Sequence, residues 1–569
     1  MKARKICLTL IYLLVLIQAS HMANANEDLE IKQMQQELKH YNLEQENRNL
    51  DHKPQFLEFT PENTDLEPTS CLNIKTIEIT GSTIFKQEQL QEKVKDFSSE
   101  CTTLSDIQKM LNHLNALYFK HGYITSRANL PMPQSKLAEN IIVIKITEGK
   151  ISHIILKENQ KTYDNKLKIS SSVPTKKGDI LNIRDLEQAI DNFANVNNSN
   201  SKFSIEAGEE ANTSIVIIKN DFNKPNSIAA SLDNSGTSQT GENKYNISAN
   251  FADLLNLNDN IAVSYNSLYR RPSHQRQSSV SSFNYSLPFR NYLFNYSLSR
   301  SEYILGTNLT NAIYYSLGNT TINKFALERN IFRNNQTKIK LISDLTLKNI
   351  KSYNQIFNIK LNNQVGTRKL SVATIGIHNT IYSKFGTFII KPSYKFGLDK
   401  FSALDDKTSD YDEEAQYEAY NLYLYYDKIF NKIPLKYNLH IEAQKSEDTL
   451  FSSEAFYAGG EYSVRGFKEE YIQGDSGFYV RNNFTLNKNL AHYLKLNNTT
   501  LNAGIFFDYG LTKANVDEKD YQVSGTGVTL NFYHKLFSAN ITYSKALKIP
   551  ADIAENEVVY AKISKSVYF

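Results

Sequence analysis

Two short segments in the C-terminal part of the chain hold the residues whose types could form a strong and specific pair. The first is Val464-Arg465-Gly466-Phe467, and the second contains Phe506, Asp508 and Gly510. A guanidinium is always charged, and its planar fork of donors fits a carboxylate through two parallel hydrogen bonds. We therefore predict that Arg465 lies at a loop tip and pairs with Asp508. Gly466 would allow the turn, and Gly510 would leave room for the loop to approach. The alternative is a surface loop with a solvated arginine.

A third segment, Gly474-Asp475-Ser476-Gly477, resembles the nucleophile turn of chymotrypsin-like proteases. That chemistry needs a histidine base, a buried aspartate that orients it and an oxyanion hole, and here Phe478 replaces the usual glycine. The 11 histidines show no His-Glu-x-x-His spacing, and the chain has no glycine-rich phosphate-binding loop. We therefore expect no enzymatic activity, no metal site and no cofactor.

The elements that must position Arg465 and Asp508 are predicted to be strands. From about residue 223 to residue 569, apolar residues alternate with polar ones, as Leu439 and Ile441 do with His440 and Glu442. This two-residue period is typical of a strand with one apolar face, and the segment has room for about 16 strands of a membrane β-barrel. The 35 tyrosines and 30 phenylalanines can supply interfacial girdles. The alternative is an array of soluble β-sandwiches.

The last strand fits the same pattern. Phe569 shares its parity with Ile563 and Val567, as a lipid-facing strand requires. Lys565 interrupts this apolar series, and we expect it to lie near the membrane interface.

The N-terminus has the features of a secretory signal peptide. Residues 1–25 combine a basic start, an apolar core and a small-residue cleavage site, so we expect cleavage between Ala25 and Asn26. Cleavage removes three basic residues from a net charge of +4. The mature chain is then nearly neutral, which does not indicate a nucleic-acid partner. No later segment approaches the length of a membrane-spanning helix.

The region between the signal peptide and the barrel is predicted to contain one helix, a linker and two small α/β domains. Residues 26–50 have the spacing of one amphipathic helix, and residues 51–70 read as an extended linker. Two small domains of similar plan follow, at 71–149 and 150–222. In the first, a helix is predicted to begin with Ser105 and Gln108 as its capping box. In the second, Ile151–Leu156 and Thr213–Ile218 are predicted to be open sheet edges.

Two cysteines, Cys71 and Cys101, remain after removal of the signal peptide. In an oxidising compartment they would most simply form a disulfide, which would stabilise the domain by roughly 3–4 kcal/mol in the chain-entropy model. The alternative is two buried free thiols.

These motifs together resemble a known family over nearly the whole mature chain. The family is the outer-membrane transporters of two-partner secretion, also called haemolysin secretion/activation proteins. In addition to the two segments described first, the resemblance rests on Gly122–Arg127, Thr147–Gly149, Leu181–Gln188, Asp233–Gly236 with Thr240 and Gly241, Tyr285–Phe289, and Gly474–Gly477 with Arg481.

The resemblance implies a 16-stranded transmembrane antiparallel β-barrel (223–569), two α+β POTRA domains in the periplasm and an N-terminal plug helix. The alternative for this helix is a short dimerising coiled coil. It implies a loop tip at Val464, Arg465, Gly466 and Phe467 that meets a barrel wall at Phe506, Asp508 and Gly510. Cys71 and Cys101 match the family's paired cysteines. The implied partners are a large secreted exoprotein with an N-terminal secretion domain, outer-membrane lipid, and the barrel-assembly machinery for insertion.

Three other membrane functions fit the sequence less well. A barrel-assembly insertase of the same superfamily shares the Val-Arg-Gly-Phe loop, but such proteins usually carry more POTRA domains and lack the N-terminal helix. A passive porin or an autotransporter would not explain two tandem small domains. The export pore is therefore the predicted function, and the insertase is the alternative.

Overall fold

The computed structural model describes residues 71–569 except 164, 197, 239, 270–275, 310–311, 357–358, 362–366, 410, 517–518, 552 and 554. The predicted signal peptide, plug helix and linker lie outside the described residues. Among the described residues, no helix is long and apolar enough to span a membrane.

The first domain packs two helices against a small sheet. Its elements are β1 (Leu72–Ile74), β2 (Thr76–Thr80), α1 (Gln87–Val94), β3 (Ser99–Thr102), α2 (Leu104–Lys120), β4 (Arg127–Asn129) and β5 (Ile141–Thr147), with 3₁₀ turns at Lys95–Phe97 and Leu137–Glu139. The sheet order is β2-β5-β4, and β1 pairs with β3. Cys71 and Cys101 form a disulfide with a Cα–Cα distance of 4.7 Å, which joins β3 to the chain just before β1.

The predicted start of helix α2 was wrong by two residues. Thr103 is the N-cap, and its hydroxyl accepts a hydrogen bond from the Asp106 backbone N–H at 3.2 Å. The Asp106 carboxylate in turn accepts one from the Thr103 N–H at 3.1 Å. Ser105 lies inside the first turn, because the Thr103–Asp106 pair already satisfies the free N–H groups of the helix start.

The Thr147-Glu148-Gly149 motif has a structural role in this domain. The Glu148 carboxylate accepts hydrogen bonds from the Thr83 N–H at 2.8 Å, the Ile84 N–H at 3.1 Å and the Tyr118 hydroxyl at 2.9 Å. Burial raises the pKa of Glu148, but the hydrogen bonds from Thr83 outweigh it and hold that pKa below its ordinary value.

The second domain has a four-stranded sheet of order β7-β6-β9-β8. Its elements are β6 (Lys150–Glu158), β7 (Lys161–Tyr163), α3 (Lys166–Ser172), α4 (Ile183–Phe193), β8 (Ser199–Ala207) and β9 (Thr213–Phe222). The predicted edge at Thr213–Ile218 was wrong, because β9 pairs with both β6 and β8. Strand β7 pairs only with Leu156–Glu158, so the outer side of β6 has no strand partner among the described residues from His153 to Ile155.

The remaining strands form the predicted closed antiparallel barrel of 16 long strands. They are β10 (Ser227–Asp233), β11 (Lys244–Ala252), β12 (Asn260–Leu268), β13 (Arg276–Phe289), β14 (Tyr292–Leu309), β15 (Ala312–Arg333), β16 (Thr337–Ile356), β18 (Arg368–Ser383), β19 (Gly386–Gly397), β20 (Glu418–Ile429), β21 (Leu435–Lys445), β24 (Ser476–Leu486), β25 (Thr499–Lys513), β26 (Asp520–His534), β27 (Phe537–Lys548) and β28 (Glu557–Tyr568). A short strand, β17 (Ile359–Leu361), pairs with the end of β16. Pairing of β10 with β28 closes the barrel.

The strands place polar residues in the lumen and apolar residues outside. Glu442 and Gln444 of β21 are each 7% exposed inside the barrel, whereas Ile563 and Val567 of β28 are 47% and 54% exposed on its outer surface. Lys565 lies between them on the outer face, opposite Ala230 and close to the end of β28. We call the barrel end that faces the two small domains the domain end, and the opposite one the far end.

Candidate functional site in the barrel lumen

Residues 446–475, which connect β21 and β24, form a loop that folds back into the barrel from its far end. We call it the inner loop. It contains a two-stranded hairpin of β22 (Phe456–Ala458) and β23 (Ile472–Gly474). Val464 and Phe467 at its tip are fully buried, and Arg465 is 6% exposed. The loop tip therefore lies against the barrel wall and not in solvent.

The Arg465 guanidinium forms a bidentate pair with Asp508 on β25. Its Nε donates to Asp508 Oδ2 at 2.6 Å, and its Nη2 donates to Oδ1 at 2.7 Å. The Arg465 backbone N–H also donates to Oδ2 at 3.1 Å. Both side chains are almost completely buried. Removal of one partner from such a buried pair typically costs about 3–5 kcal/mol, because the other charge is left unpaired.

Neighbouring side chains complete the environment of Arg465. Its Nη2 also donates to Asn483 Oδ1 at 2.8 Å, and its Cζ lies 3.5 Å from the centre of the Phe506 ring. Arg481 does not bind Asp508 in this arrangement, although the two residues are cross-strand partners. Its guanidinium donates instead to the Tyr462 and Glu461 carbonyl oxygens at 2.8 and 3.1 Å. Two arginines therefore hold the loop, one from the tip and one from the wall.

Glycines on both sides of the contact allow the loop to approach the wall closely. Gly466 has a φ of +115°, which residues with a Cβ rarely adopt. A Cβ on Gly510 would lie 2.7 Å from the Ala458 Cβ, and one on Gly525 of β26 would lie 1.8 Å from the Arg465 carbonyl oxygen. The loop backbone can therefore contact the wall only because Gly510 and Gly525 carry no side chain.

The inner loop also has an apolar core of its own against the wall. The cluster joins the hairpin and the tip to inward-facing wall residues, and comprises Phe456, Ala458, Val464, Phe467, Ile472, Tyr479, Val523 and Ala546. The Tyr560 hydroxyl of β28 donates to the Phe467 carbonyl oxygen at 2.6 Å. Packing and hydrogen bonds therefore hold the loop together with the charged pair.

The protease-like Gly474-Asp475-Ser476-Gly477 segment forms the base of this loop. The Asp475 carboxylate accepts the Leu450 N–H and the Asn515 N–H, both at 2.7 Å. The Ser476 hydroxyl donates to the Ser446 carbonyl oxygen at 3.0 Å. Both side chains therefore bind backbone groups and hold the two ends of the loop together. They do not form the nucleophile turn of a protease. Among the described residues, no group of three or more His, Cys, Asp or Glu side chains could hold a metal ion.

At the far end the inner loop contacts three other parts of the barrel. Glu454 pairs with Lys348 of β16 at 2.6 Å, across the lumen from Asp508. Glu555, in the connection before β28, accepts the Lys468 N–H at 2.6 Å and the Glu469 N–H at 3.0 Å. The Glu469 carboxylate in turn accepts the Ser238 N–H at 2.8 Å, in the connection after β10.

The Asp233–Gly236 motif contributes to barrel closure. The Asn234 side chain donates to the Val559 carbonyl oxygen at 2.7 Å and accepts the Ala561 N–H at 2.8 Å. It therefore extends the pairing of β10 with β28 beyond the last residues of β10.

At the domain end, the second domain is bound to the barrel through buried polar contacts. Lys168 of α3 is fully buried between Glu158 and Asp253, at 2.6 Å from each carboxylate. Asp191 of α4 pairs with Arg333 and Lys338 at the turn between β15 and β16. Burial raises the pKa of Asp191, but Arg333 and Lys338 outweigh it and hold that pKa well below its ordinary value.

The two small domains are joined by their own motifs. The Ile183 N–H donates to the Gly122 carbonyl oxygen at 2.9 Å, and a Cβ on Gly122 would lie 2.3 Å from the Asn182 Oδ1. The Gly122–Arg127 and Leu181–Gln188 segments thus meet at the junction between the domains.

The structure brings together all the residues predicted for the loop tip and the wall: Val464, Arg465, Gly466, Phe467, Phe506, Asp508 and Gly510. Sequence reasoning missed the roles of Arg481, Asn483, Glu454 and Gly525. A signal existed for Gly525, since a glycine at alternate positions of a strand often marks close approach of another backbone.

Comparisons with known proteins agree with this architecture. A family model described as haemolysin secretion/activation protein ShlB/FhaC/HecB matches residues 212–532, which is more than half of the chain. A model of the ShlB-type POTRA domain matches residues 72–149, and a second POTRA model matches residues 150–207.

Individual relatives cover most of the chain. The outer membrane transporter CdiB of Dickeya dadantii is 25% identical over 86% of this chain and 85% of its own length. The hemolysin transporter protein ShlB of Serratia marcescens is 23% identical over 88% of this chain and 86% of its own. The solved structure of CdiB from Escherichia coli has the same fold, with a TM-score of 0.85, 24% identity, and coverage of 95% of this chain and 98% of that one.

Proposed function

Because the chain belongs to the haemolysin secretion/activation protein family ShlB/FhaC/HecB, it is an outer-membrane transporter of two-partner secretion, and we propose that it exports one large unfolded exoprotein. The partner would carry an N-terminal secretion domain and would be either a haemolysin that transport activates or an adhesin that transport releases. The observation that carries the proposal is a closed barrel with a buried loop pinned inside it and two POTRA domains bound at one end. The domain end faces the periplasm, and the far end faces the cell exterior.

The exported chain would first bind the POTRA domains as an extended segment. An open sheet edge offers main-chain hydrogen bonds that tolerate many sequences. For this binding we keep the predicted edge on β6, at His153–Ile155, and replace the one on β9 by β8, whose only strand partner among the described residues is β9. Because α3 and α4 bind the barrel turns directly, a chain held on the second domain would already lie near the periplasmic mouth.

Transport through the barrel would need no nucleotide. Folding of the exported chain outside removes the unfolded form and draws the equilibrium outward by mass action. The transporter then acts only by binding, orienting and admitting the chain, so we propose that it has no enzymatic activity. The backbone contacts of Asp475 and Ser476 support this proposal, since they give both residues a structural role.

Within this mechanism, the inner loop would shape the path of the exported chain. It is anchored to the wall by Arg465 at its tip, by Asp475 at its base and by Glu454 across the lumen. We propose that these contacts keep the loop in one position, so that an unfolded chain meets a channel of defined shape.

The N-terminal segment is proposed to close the pore at rest. Cleavage between Ala25 and Asn26 would release the signal peptide, and residues 26–50 would form the plug helix on a linker of residues 51–70. The barrel would then be inserted by the barrel-assembly machinery into outer-membrane lipid.

Deletion of residues 26–50 is expected to raise the ion conductance of the protein in planar bilayers, because the plug no longer occupies the lumen. Secretion of the partner is expected to persist at least in part. Replacement of linker residues 55–68 by a glycine–serine sequence of the same length is the matched control and should leave conductance unchanged, because the reach of the linker is kept. An unchanged conductance after loss of 26–50 would contradict the plug.

The exporter and the insertase differ in what the cell loses without them. Depletion of this protein is expected to remove one large protein from the culture medium and to leave the set of outer-membrane barrel proteins intact. Quantitative proteomics of the medium and of the outer membrane measures both. Loss of many unrelated barrel proteins from the membrane would instead support the insertase.

A further inference from the structure

On the outer surface of β14, β15, β16 and β18, the outward-facing residues change from apolar to polar at one height along the barrel axis. We call this height the line. On β16 the outward residues Leu345 and Leu347 are followed by Asn349, and on β18 Ala373 is followed by Ser371 and Lys369; cross-strand pairing aligns these changes. Residue 349 lies twelve positions beyond the start of β16, whereas about 9–11 residues of a tilted strand cross the bilayer core. This line is therefore the boundary between the acyl chains and head groups of the outer leaflet.

A cavity of about 200 Å³ opens on this line. It is lined on its outer face by Asn323, Leu347, Asn349, Lys369, Phe401 and Ser402. A turn in the connection after β19 forms one wall: the Ser371 hydroxyl donates to the Lys400 carbonyl oxygen at 3.0 Å, and this contact holds the turn against the barrel. Phe401 and Ser402 both have left-handed backbones, with φ of 59° and 61°. The turn keeps this strained geometry with the Phe401 ring 62% exposed.

Two polar groups of the cavity have unused hydrogen-bonding capacity among the described residues. The Asn349 Oδ1 atom is buried without a donor. Lys369 is exposed, and its ammonium group forms no ion pair with any described residue. A buried acceptor without a donor is costly, so a ligand that brings an O–H or N–H group would stabilise it. An ammonium without an ion-pair partner at the level of the lipid head groups is suited to bind a phosphate.

We propose that this outer-boundary cavity binds a phosphorylated glycolipid of the outer leaflet. The Lys369 ammonium binds a sugar phosphate, Asn349 accepts a hydroxyl or amide N–H of the sugar, and the Phe401 ring packs on an acyl chain beside Leu347. The cavity combines a charge, a polar acceptor and an apolar floor within one site, which matches a head group joined to acyl chains better than it matches a free anion. The proposal requires that the barrel lie in an outer membrane, and it does not depend on which protein is exported.

The chain supplies a matched control at the other end of the same strand. Lys384 and Phe385 follow β18 at the domain end, where Phe385 is 65% exposed and Lys384 lies 5.2 Å from its ring centre. This pair has the same residue types as Lys369 and Phe401 and lies outside the lining of the proposed site. The double variant Lys369→Glu/Phe401→Ala is therefore compared with Lys384→Glu/Phe385→Ala.

The test measures lipid binding to the purified full-length protein by native mass spectrometry. The probes are bisphosphorylated lipid A, the same lipid without phosphates, and phosphatidylglycerol, with heat-modifiable gel mobility as the check that each variant is folded. We expect lipid A to bind best, and Lys369→Glu/Phe401→Ala to weaken it at least about tenfold, as loss of a charge-assisted hydrogen bond predicts. The Lys384→Glu/Phe385→Ala control should change it less than about twofold.

Three results would overturn the proposal. One is equal binding of phosphorylated and dephosphorylated lipid A. The second is an equal loss of lipid A binding in the two double variants. The third is that phosphatidylglycerol binds as tightly as lipid A and loses as much binding in Lys369→Glu/Phe401→Ala. If Lys369→Glu/Phe401→Ala does not fold, the single variants Asn349→Leu and Lys369→Gln replace it with the same expected direction. Export of the partner is measured in parallel, so failure of the lipid site is distinct from failure of the transport function.

Discussion

Replacement of Arg465 by alanine is expected to lower export of the partner more than tenfold while the barrel still inserts and folds. The variant loses the two hydrogen bonds to Asp508 and leaves a buried carboxylate without its charge partner, which typically costs about 3–5 kcal/mol. This cost falls on the position of the loop tip, because the strands of the barrel do not depend on Arg465 for their pairing. Secreted partner in the medium and heat-modifiable mobility of the transporter are the two measurements.

Several variants define the cause of that loss. Arg465→Lys keeps the charge but not the planar fork, and is expected to restore export only in part. Asp508→Asn should resemble Arg465→Ala. Arg300→Ala, which removes an arginine that is 59% exposed on the outer face, should leave export unchanged. Normal export by Arg465→Ala would show that the loop contact has no part in transport.

Gly525→Val is expected to disturb the same contact without any change of charge. A Cβ at this position would lie 1.8 Å from the Arg465 carbonyl oxygen, and a backbone atom cannot rotate away as a side chain can. The tip must therefore move away from the wall, which lengthens the hydrogen bonds of 2.6 and 2.7 Å between Arg465 and Asp508. We expect export to fall as far as in Arg465→Ala, together with a change in single-channel conductance.

The control for this steric prediction is Gly504→Ala on the neighbouring strand β25. Its added Cβ would lie 3.0 Å from the Phe484 carbonyl oxygen, and its three nearest neighbours all belong to barrel strands and not to the inner loop. A small shift can relieve that contact, so export should stay near the wild-type level. Loss of export in Gly504→Ala equal to that in Gly525→Val would mean that any added wall side chain disturbs the barrel, and that the loop is not the cause.

The barrel could be predicted from the sequence because its signal is local. Alternation such as that of Leu439, His440 and Ile441 is set by the strand itself, and one face must meet lipid while the other meets water. The pair of Arg465 and Asp508 could also be predicted, since an arginine beside a glycine at a loop tip needs an acid partner if the loop folds back into the barrel. Their residue types were enough to suggest the pair.

Other features depend on pairing between distant residues, which the sequence does not show. The predicted edge at β9 was wrong because the sequence does not show the order of the sheet, in which β6 and β8 cover both sides of β9. The sequence predicts a capping box at Ser105 and Gln108, but Thr103 and Asp106 give a similar local pattern two residues earlier, and that pair caps the helix. The contacts of Glu454 with Lys348 and of Arg481 with the loop carbonyls require cross-barrel geometry.

Transport of an unfolded partner by the purified protein is the most direct test of this account. The protein is reconstituted in liposomes with its POTRA domains outside, and a denatured N-terminal fragment of the exoprotein is added without nucleotide or ion gradient. We predict that the fragment becomes protected from external protease with the wild-type protein, and at least about tenfold less with Arg465→Ala, a loss of roughly 1.4 kcal/mol or more. Protection that requires an energy source, or that never develops with a correctly inserted barrel, would contradict it.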